Sequence, residues 1–175
     1  MKTTKILLPL ATLVAAGAIA VGSGATFTST SANTISSVTS GTLTQSNSKA
    51  NAAIFNLTNI KPGDIVNGSL TIKNTGSLPA TFSLTETSST NSFTAANLTM
   101  TITNTTTNTV VYTGTFGGLV DGAKNDLGSV AAGVSNDYTF SVKLDQSTPN
   151  TDQGKTASAA FQWDSVQADA TTTNQ

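Results

Sequence analysis

The side chains that most often perform acid–base and metal chemistry are scarce in this chain. Histidine and cysteine are both absent, which removes the commonest general base, the usual ligands of catalytic zinc and any thiol nucleophile. Glu86 is the single glutamate among nine acidic residues, and the aspartates are scattered. A Ser or Thr nucleophile needs a base within hydrogen-bond reach, and only Lys remains for that role. The composition therefore predicts a protein that is not an enzyme, with no catalytic residue and no cofactor.

One short polar segment carries oxygen atoms of the kind that calcium prefers. Asp121, Asn125 and Asp126 lie close together in the sequence DGAKND, and carboxylate and amide oxygens are calcium ligands. The same residue types also favour a turn, because Asn and Asp tolerate left-handed backbone. Lys124 in the middle would repel a dication. We therefore predict no metal site, with these three residues as the calcium candidate.

Glu86 follows an alternating strand pattern and has the parity of its apolar residues. If the strand continued, the carboxyl would point inward and would need a partner, which Lys73 or Lys143 would supply. A Lys–Asn isopeptide crosslink promoted by Glu86 is one reading of that arrangement. The other reading, which the sequence favours, is a strand that ends before Thr85 and leaves Glu86 in solvent.

The charge balance argues against nucleic acid or an anionic membrane as a partner. The net charge is −1 and all eight basic residues are Lys. Removal of an N-terminal leader with Lys2 and Lys5 would leave six Lys against nine acids, a charge of −3. No basic patch stands out along the chain.

Alternating residues predict strands along most of the chain. Thr, which suits a pleated surface, is abundant, and no stretch has a helical period. Seven or more short strands separated by turns indicate an all-β, antiparallel β-sandwich of the jelly-roll or immunoglobulin-like kind, with about 7–9 strands. Low charge and many Ser and Thr residues would also fit a disordered stalk, but the alternation favours a fold. The predicted core comprises Phe82, Leu84, Phe140, Val142 and Phe161.

The N-terminal residues predict export. Residues 1–25 have the pattern of a signal peptide, with two Lys, then an apolar run, then small residues. The apolar run is shorter than the roughly 20 residues that span a bilayer. Cleavage is expected between Ala25 and Thr26, with a cut before Val21 as the alternative. An uncharged segment at 26–48 follows, then a sandwich domain at 49–166 and a polar tail at 167–175. An apolar run at 53–57 opens the sandwich in this prediction.

Several segments resemble the TasA/camelysin family of secreted Gram-positive proteins. The sharpest are FNLTNIKPGD at 55–64, which contains the turn Lys61, Pro62, Gly63 and Asp64, and SLTIKNTGSL at 69–78. SGTL at 40–43, GKTA at 154–157 and FQW at 161–163 are also similar to that family. Pro62 and Gly63 by themselves predict a type II turn.

The resemblance implies a jelly-roll-like sandwich that assembles into extracellular biofilm fibres after processing by a SipW-type signal peptidase. In that family an N-terminal strand, freed by cleavage, inserts into the neighbouring subunit. Here it would lie within 26–43, with Phe27, Ile35, Val38 and Leu43 as anchors. Camelysin-type members are described as metalloproteases, from which this chain departs because it has no His.

We therefore expect a secreted structural protein that polymerises by adding strands to a sheet edge. Its expected partners are further copies of itself, the signal peptidase and an accessory matrix protein. It would bind neither nucleic acid nor, after cleavage, membrane. The alternative is a monomeric secreted or cell-surface binding module, and a metalloprotease is third. Electron microscopy would separate the first two.

Overall fold

The computed structural model describes residues 40–56, 59–94 and 96–167. In these ranges the alternating segments form eight strands and one short 3₁₀ turn, Asn150–Asp152. The strands are β1 (Gln45–Asn47), β2 (Ile65–Asn74), β3 (Ala80–Asn91), β4 (Leu98–Asn104), β5 (Thr109–Thr115), β6 (Lys124–Val130), β7 (Ser135–Leu144) and β8 (Ala157–Gln167). The predicted signal peptide, its cleavage site and most of the polar tail lie outside the described residues.

The strands form two antiparallel sheets. One has the order β1-β2-β7-β4-β5 and the other β6-β3-β8. Each sheet turns one apolar face towards the other, because side chains on a strand alternate between two faces. The predicted all-β sandwich is confirmed, and the eight described strands fall within the predicted number.

The core lies between the two sheets and follows the predicted parity. Phe82, Leu84, Phe140 and Val142 are each no more than 1% exposed. Phe161 is only partly buried, and its ring packs against Phe140 with the centroids 5.1 Å apart. Four of the five predicted core residues are therefore fully buried, and the fifth lies at the margin.

The apolar run at 53–57 was predicted to open the sandwich as a strand, but its described residues form a loop. Ile54 and Phe55 nevertheless pack on the core, with the Phe55 ring 6.1 Å from those of both Phe116 and Phe140. The loop can lie close to β2 because Gly68 has no side chain, and a Cβ there would collide with the Ile54 carbonyl. A glycine within a strand commonly marks such a close approach of backbone.

Candidate functional site

The Lys61–Asp64 turn closes in the predicted way and extends the pairing of β2 with β7. The Asp64 amide donates to the Lys61 carbonyl over 3.0 Å, and Gly63 has φ +91°, which a type II turn requires at this position. The backbone amide and the side chain of Lys61 both donate to the Asp64 carboxylate and lower the pKa of that carboxyl. The Gly63 amide donates to Leu144 at the end of β7. This turn therefore fixes one end of the larger sheet.

The two motif segments at 61–64 and 154–157 meet at one cleft. The cleft measures about 660 Å³ and is lined by Lys61, Pro62, Phe93, Leu144 and Lys155, among others. That volume lies in the range of small-molecule pockets. The lining is mixed, and both lysines are already paired with aspartates, Lys61 with Asp64 and Lys155 with Asp152.

Asp152 lines this cleft, and its carboxylate links several neighbouring residues by hydrogen bonds. Its side chain is 1% exposed, and it accepts hydrogen bonds from Lys155 Nζ at 2.7 Å and Asn97 Nδ2 at 2.8 Å. The Thr94 hydroxyl and amide also donate to it, at 2.9 and 3.2 Å. Lys155, then Asn97, are the main causes that hold the pKa of Asp152 well below its ordinary value. Four donors satisfy this carboxylate, so its role is structural.

The motif segments at 40–43 and 73–78 contact each other directly. The Thr42 amide donates to Ser77 Oγ at 2.9 Å, and the Ser77 amide donates to the Thr42 carbonyl at 3.0 Å. Asn74 is fully buried, and its amide donates to the carbonyls of Leu78 and Val130 at 2.8 and 2.9 Å. The bonds between Thr42 and Ser77, with those from the Thr75 and Gly76 amides to the Thr44 carbonyl, clamp residues 40–47 to the β2–β3 connection of their own subunit. Leu43 lies in this clamped segment and is 41% exposed, whereas Phe27, Ile35 and Val38 lie outside the described residues.

Strand β8 is an edge of the smaller sheet. Along its length it pairs with β3, and no described residue forms a ladder with its other side. The Trp163 carbonyl points to that open side, because it accepts a hydrogen bond from Gln45 Nε2 at 2.7 Å. Leu84, which lies opposite Trp163, turns its carbonyl towards β6, where Asn125 Nδ2 donates to it at 3.1 Å. The motif segment at 161–163 is therefore part of an open edge.

The direction of the other backbone N–H and C=O groups on β8 follows from the way these groups alternate between the two sides of an antiparallel strand. Residues two apart on a strand direct their N–H and C=O groups to the same side. The backbone groups of Phe161 and Ser165 therefore face the open side together with those of Trp163. An extended segment laid along β8 would find pairing positions at Phe161, Trp163 and Ser165, of which the Trp163 carbonyl already accepts a hydrogen bond from the Gln45 side chain.

Glu86 departs from the arrangement that the sequence favoured. Strand β3 does not end before Thr85 but continues to Asn91, across an irregularity between Glu86 and Ser88 opposite β8. Glu86 is completely buried. The two lysines that were considered as partners, Lys73 and Lys143, sit at exposed, outward positions on the other sheet. The lysine pairing that was considered for Glu86 therefore does not form.

The calcium candidates do not converge as a group. Asn125 and Asp126 are consecutive residues of β6, so their side chains point to opposite faces. Asn125 donates to backbone carbonyls, and the Asp126 carboxylate accepts from the Gly128 amide at 2.8 Å. Asp121 lies in the preceding connection, near Glu86. Lys124 turns towards Asp164, with their charged atoms 3.8 Å apart.

Sequence reasoning missed two structural residues. Asn74 stood in a recognised motif segment, but nothing in its pattern indicated that its amide bridges two connections. Asp152 appeared only as one more aspartate in a polar loop, and its position three residues before Lys155 was the one local signal. In both cases the partners come from distant parts of the sequence, since Asn74 bonds to Val130 and Asp152 to Thr94 and Asn97.

Fold and motifs together define an all-β sandwich with a clamped N-terminal segment and an open strand edge. The model of the camelysin metallo-endopeptidase family matches residues 4–90, a range that includes the clamp, the Lys61–Asp64 turn and most of β3. This match supports the resemblance of the chain to the camelysin/TasA family. No curated protein matches it. Among the described residues, no helix has the length and hydropathy needed to cross a membrane.

The family description implies a metal, and the donor set of this chain does not fit a catalytic zinc centre. Such centres use three protein ligands, commonly including His, and leave one position to water. This chain has neither His nor Cys. Within residues 40–56, 59–94 and 96–167 no group of three or more Asp or Glu residues lies together. These residues offer no arrangement for activating a water molecule on a catalytic metal.

Proposed function

We propose that this protein is a secreted, non-enzymatic structural subunit that polymerises into extracellular matrix fibres by strand addition. The observation that carries the proposal is the open edge of β8. Its outward backbone groups at Phe161, Trp163 and Ser165 form a ready template for another strand. The family resemblance supports the same function, since TasA-type members are structural.

The segment lent to the next subunit would be the chain before Ser40. Residues 40–47 are held in their own subunit by the bonds to Thr75, Gly76 and Ser77, so they are not free to leave. The Gln45 side chain reaches β8, which brings the N-terminal segment to the flank where the open edge lies. Residues 26–39 contain Phe27, Ile35 and Val38 and no proline, so every amide of the segment can join a ladder.

Signal cleavage would switch assembly on. While the apolar leader is attached, the segment that follows it is tethered and cannot insert into a neighbour. A SipW-type peptidase would release it outside the cell, and the growing fibre would use further copies of the same chain. An accessory matrix protein would then anchor or extend the fibre.

The cleft beside Lys61 and Lys155 favours the second candidate function, a monomeric binding module. Its size suits a small ligand. The binding module requires no self-association, so the state of the purified protein separates the two functions.

Matched edge variants test the strand-addition proposal. Val166 on β8 and Val110 on β5 are similarly exposed, at 58% and 57%, and lie on edge strands of different sheets. Lysine on an edge strand opposes pairing with another chain, so Val166→Lys should abolish or strongly slow fibre growth followed by light scattering. Val110→Lys is the control and should polymerise normally. Equal fibre growth in both variants would mean that β8 is not the acceptor edge.

A further inference from the structure

Glu86 has a buried carboxyl group that the described part of the chain leaves without hydrogen bonds. The residue is 0% exposed, and neither carboxyl oxygen has a partner within hydrogen-bonding geometry. The Ser89 hydroxyl, which like Glu86 Oε1 lies near Gly117, donates to the Gly117 carbonyl at 3.3 Å. Buried polar groups are almost always satisfied, and an exception commonly marks a bound ion or water.

The carboxyl lies under the connection between β5 and β6. A Cβ placed on Gly117, which has φ +71°, would lie 3.7 Å from Glu86 Oε1. Further along the connection, the Gly122 amide donates to the Glu86 backbone carbonyl at 2.8 Å. Asp121 precedes Gly122 and is exposed, so a second acidic residue lies next to the residue that bonds the Glu86 backbone.

We propose that Glu86 and Asp121 form a binding site for one calcium ion, which fastens the β5–β6 connection to the sandwich. A hard dication would satisfy both orphan oxygens and remove the repulsion between two neighbouring negative charges. Calcium accepts irregular shells of oxygen ligands, so hydroxyl or backbone oxygens and water can complete the coordination. Exposure of Asp121 supplies the entry path. Lys124 does not compete, because it pairs with Asp164.

The electrostatics of Glu86 agree with two neighbouring negative charges at this point. Burial, and after it the charge of Asp121, raise the pKa of Glu86, while Ser89 and the Leu119 backbone offset part of the rise.

Thermal unfolding with and without calcium tests the site. At neutral pH, millimolar calcium should raise the Tm of the wild-type protein by several degrees, and EGTA should reverse the rise, because a ligand that binds only the folded state stabilises it. Glu86→Gln and Asp121→Asn should lose this shift. Asp126→Asn, which changes a carboxylate on the outer face of β6, is the matched control and should keep it.

Two results would overturn the proposal. A wild-type Tm that does not respond to calcium would show that Glu86 is a neutral, protonated core residue. A calcium shift that persists in both Glu86→Gln and Asp121→Asn would place the ion elsewhere. Asp121→Asn keeps the test decisive should Glu86→Gln fold poorly, since Asp121 is exposed.

Discussion

Most buried polar side chains find their hydrogen-bond partners within the chain, whereas the Thr85 hydroxyl and the Glu86 carboxyl have none among the described residues. Asn74 joins the β2–β3 connection to the end of β6 with its side-chain amide, which donates to Leu78 and Val130. Asp152 receives four donors at the cleft. An unsatisfied buried group costs about 1–3 kcal/mol, so these networks explain why such residues are tolerated inside. Glu86 has no equivalent partners within the described chain, which singles it out as the residue that an external ligand would serve.

At this scale we predict that Asp152→Asn weakens the fold and that the weakening depends on pH. The pKa of Asp152 is lowered from 3.8 by Lys155, Asn97 and Thr94, so its contribution is present above that ordinary value. It is lost as the pH falls through the lowered pKa. The variant should therefore have a lower Tm than wild type at pH 7, because an amide cannot accept from all of these donors.

The difference in Tm between wild type and Asp152→Asn should narrow in strong acid. Asp137→Asn serves as the control, because Asp137 is an exposed carboxylate on the outer face of β7. Unfolding curves of the Asp152 variant that match wild type at pH 7 would show that the four hydrogen bonds contribute little.

At the scale of elements, alternation was enough to predict most strands and their inward faces. Leu98, Met100 and Ile102 are fully buried, as expected from their spacing, and the hairpin from β4 to β5 forms around 105–108. Alternation failed where the strand is irregular. Strand β3 continues past Glu86 with a shift of register. The sequence had predicted that this strand ends earlier, because Glu86 is a charged residue at an inward position.

Sheet order could not be predicted because it depends on contacts between distant residues. The hydrogen bond from Gln45 to Trp163 joins positions 118 residues apart, and no local sequence pattern in either segment predicts it. The loop at 53–56 illustrates the same limit. Its apolar run was predicted to open the sandwich as a strand, but Ile54 and Phe55 belong to a loop that packs on the core and lies against Gly68 of another element.

We predict that Phe140→Ala destabilises the sandwich much more than Phe161→Ala. Phe140 lies in the centre of β7 and is 0% exposed, and such a truncation costs about 3–5 kcal/mol. Because folded domains have a total stability of about 5–15 kcal/mol, much of the population could unfold. Phe161 is partly buried at the margin, so its loss should cost less. Urea unfolding of the two variants checks the order, and an unchanged midpoint for Phe140→Ala would contradict the core described above.

At the scale of the molecule, the protein combines a well-packed centre with sheets whose edge strands include β8. The larger sheet has five strands and the smaller one three, and the edge β8 of the smaller sheet lies beside the clamped N-terminal segment. Only 10% of the residues are charged, so long-range repulsion between copies is weak. In the proposed assembly the sandwich stays folded, and only the residues before the clamp at 40–47 insert into the next subunit. Polymerisation would therefore not require unfolding.

The most direct measurement compares two purified forms of the protein, one beginning at Thr26 and one beginning at Ser40, by negative-stain electron microscopy and light scattering. Both forms retain the clamp at 40–47, so both should fold with similar Tm values. The proposed strand exchange predicts long fibres from the form that begins at Thr26 and only monomers from the form that begins at Ser40. Fibres of equal length and yield from both forms would contradict the donor role of residues 26–39.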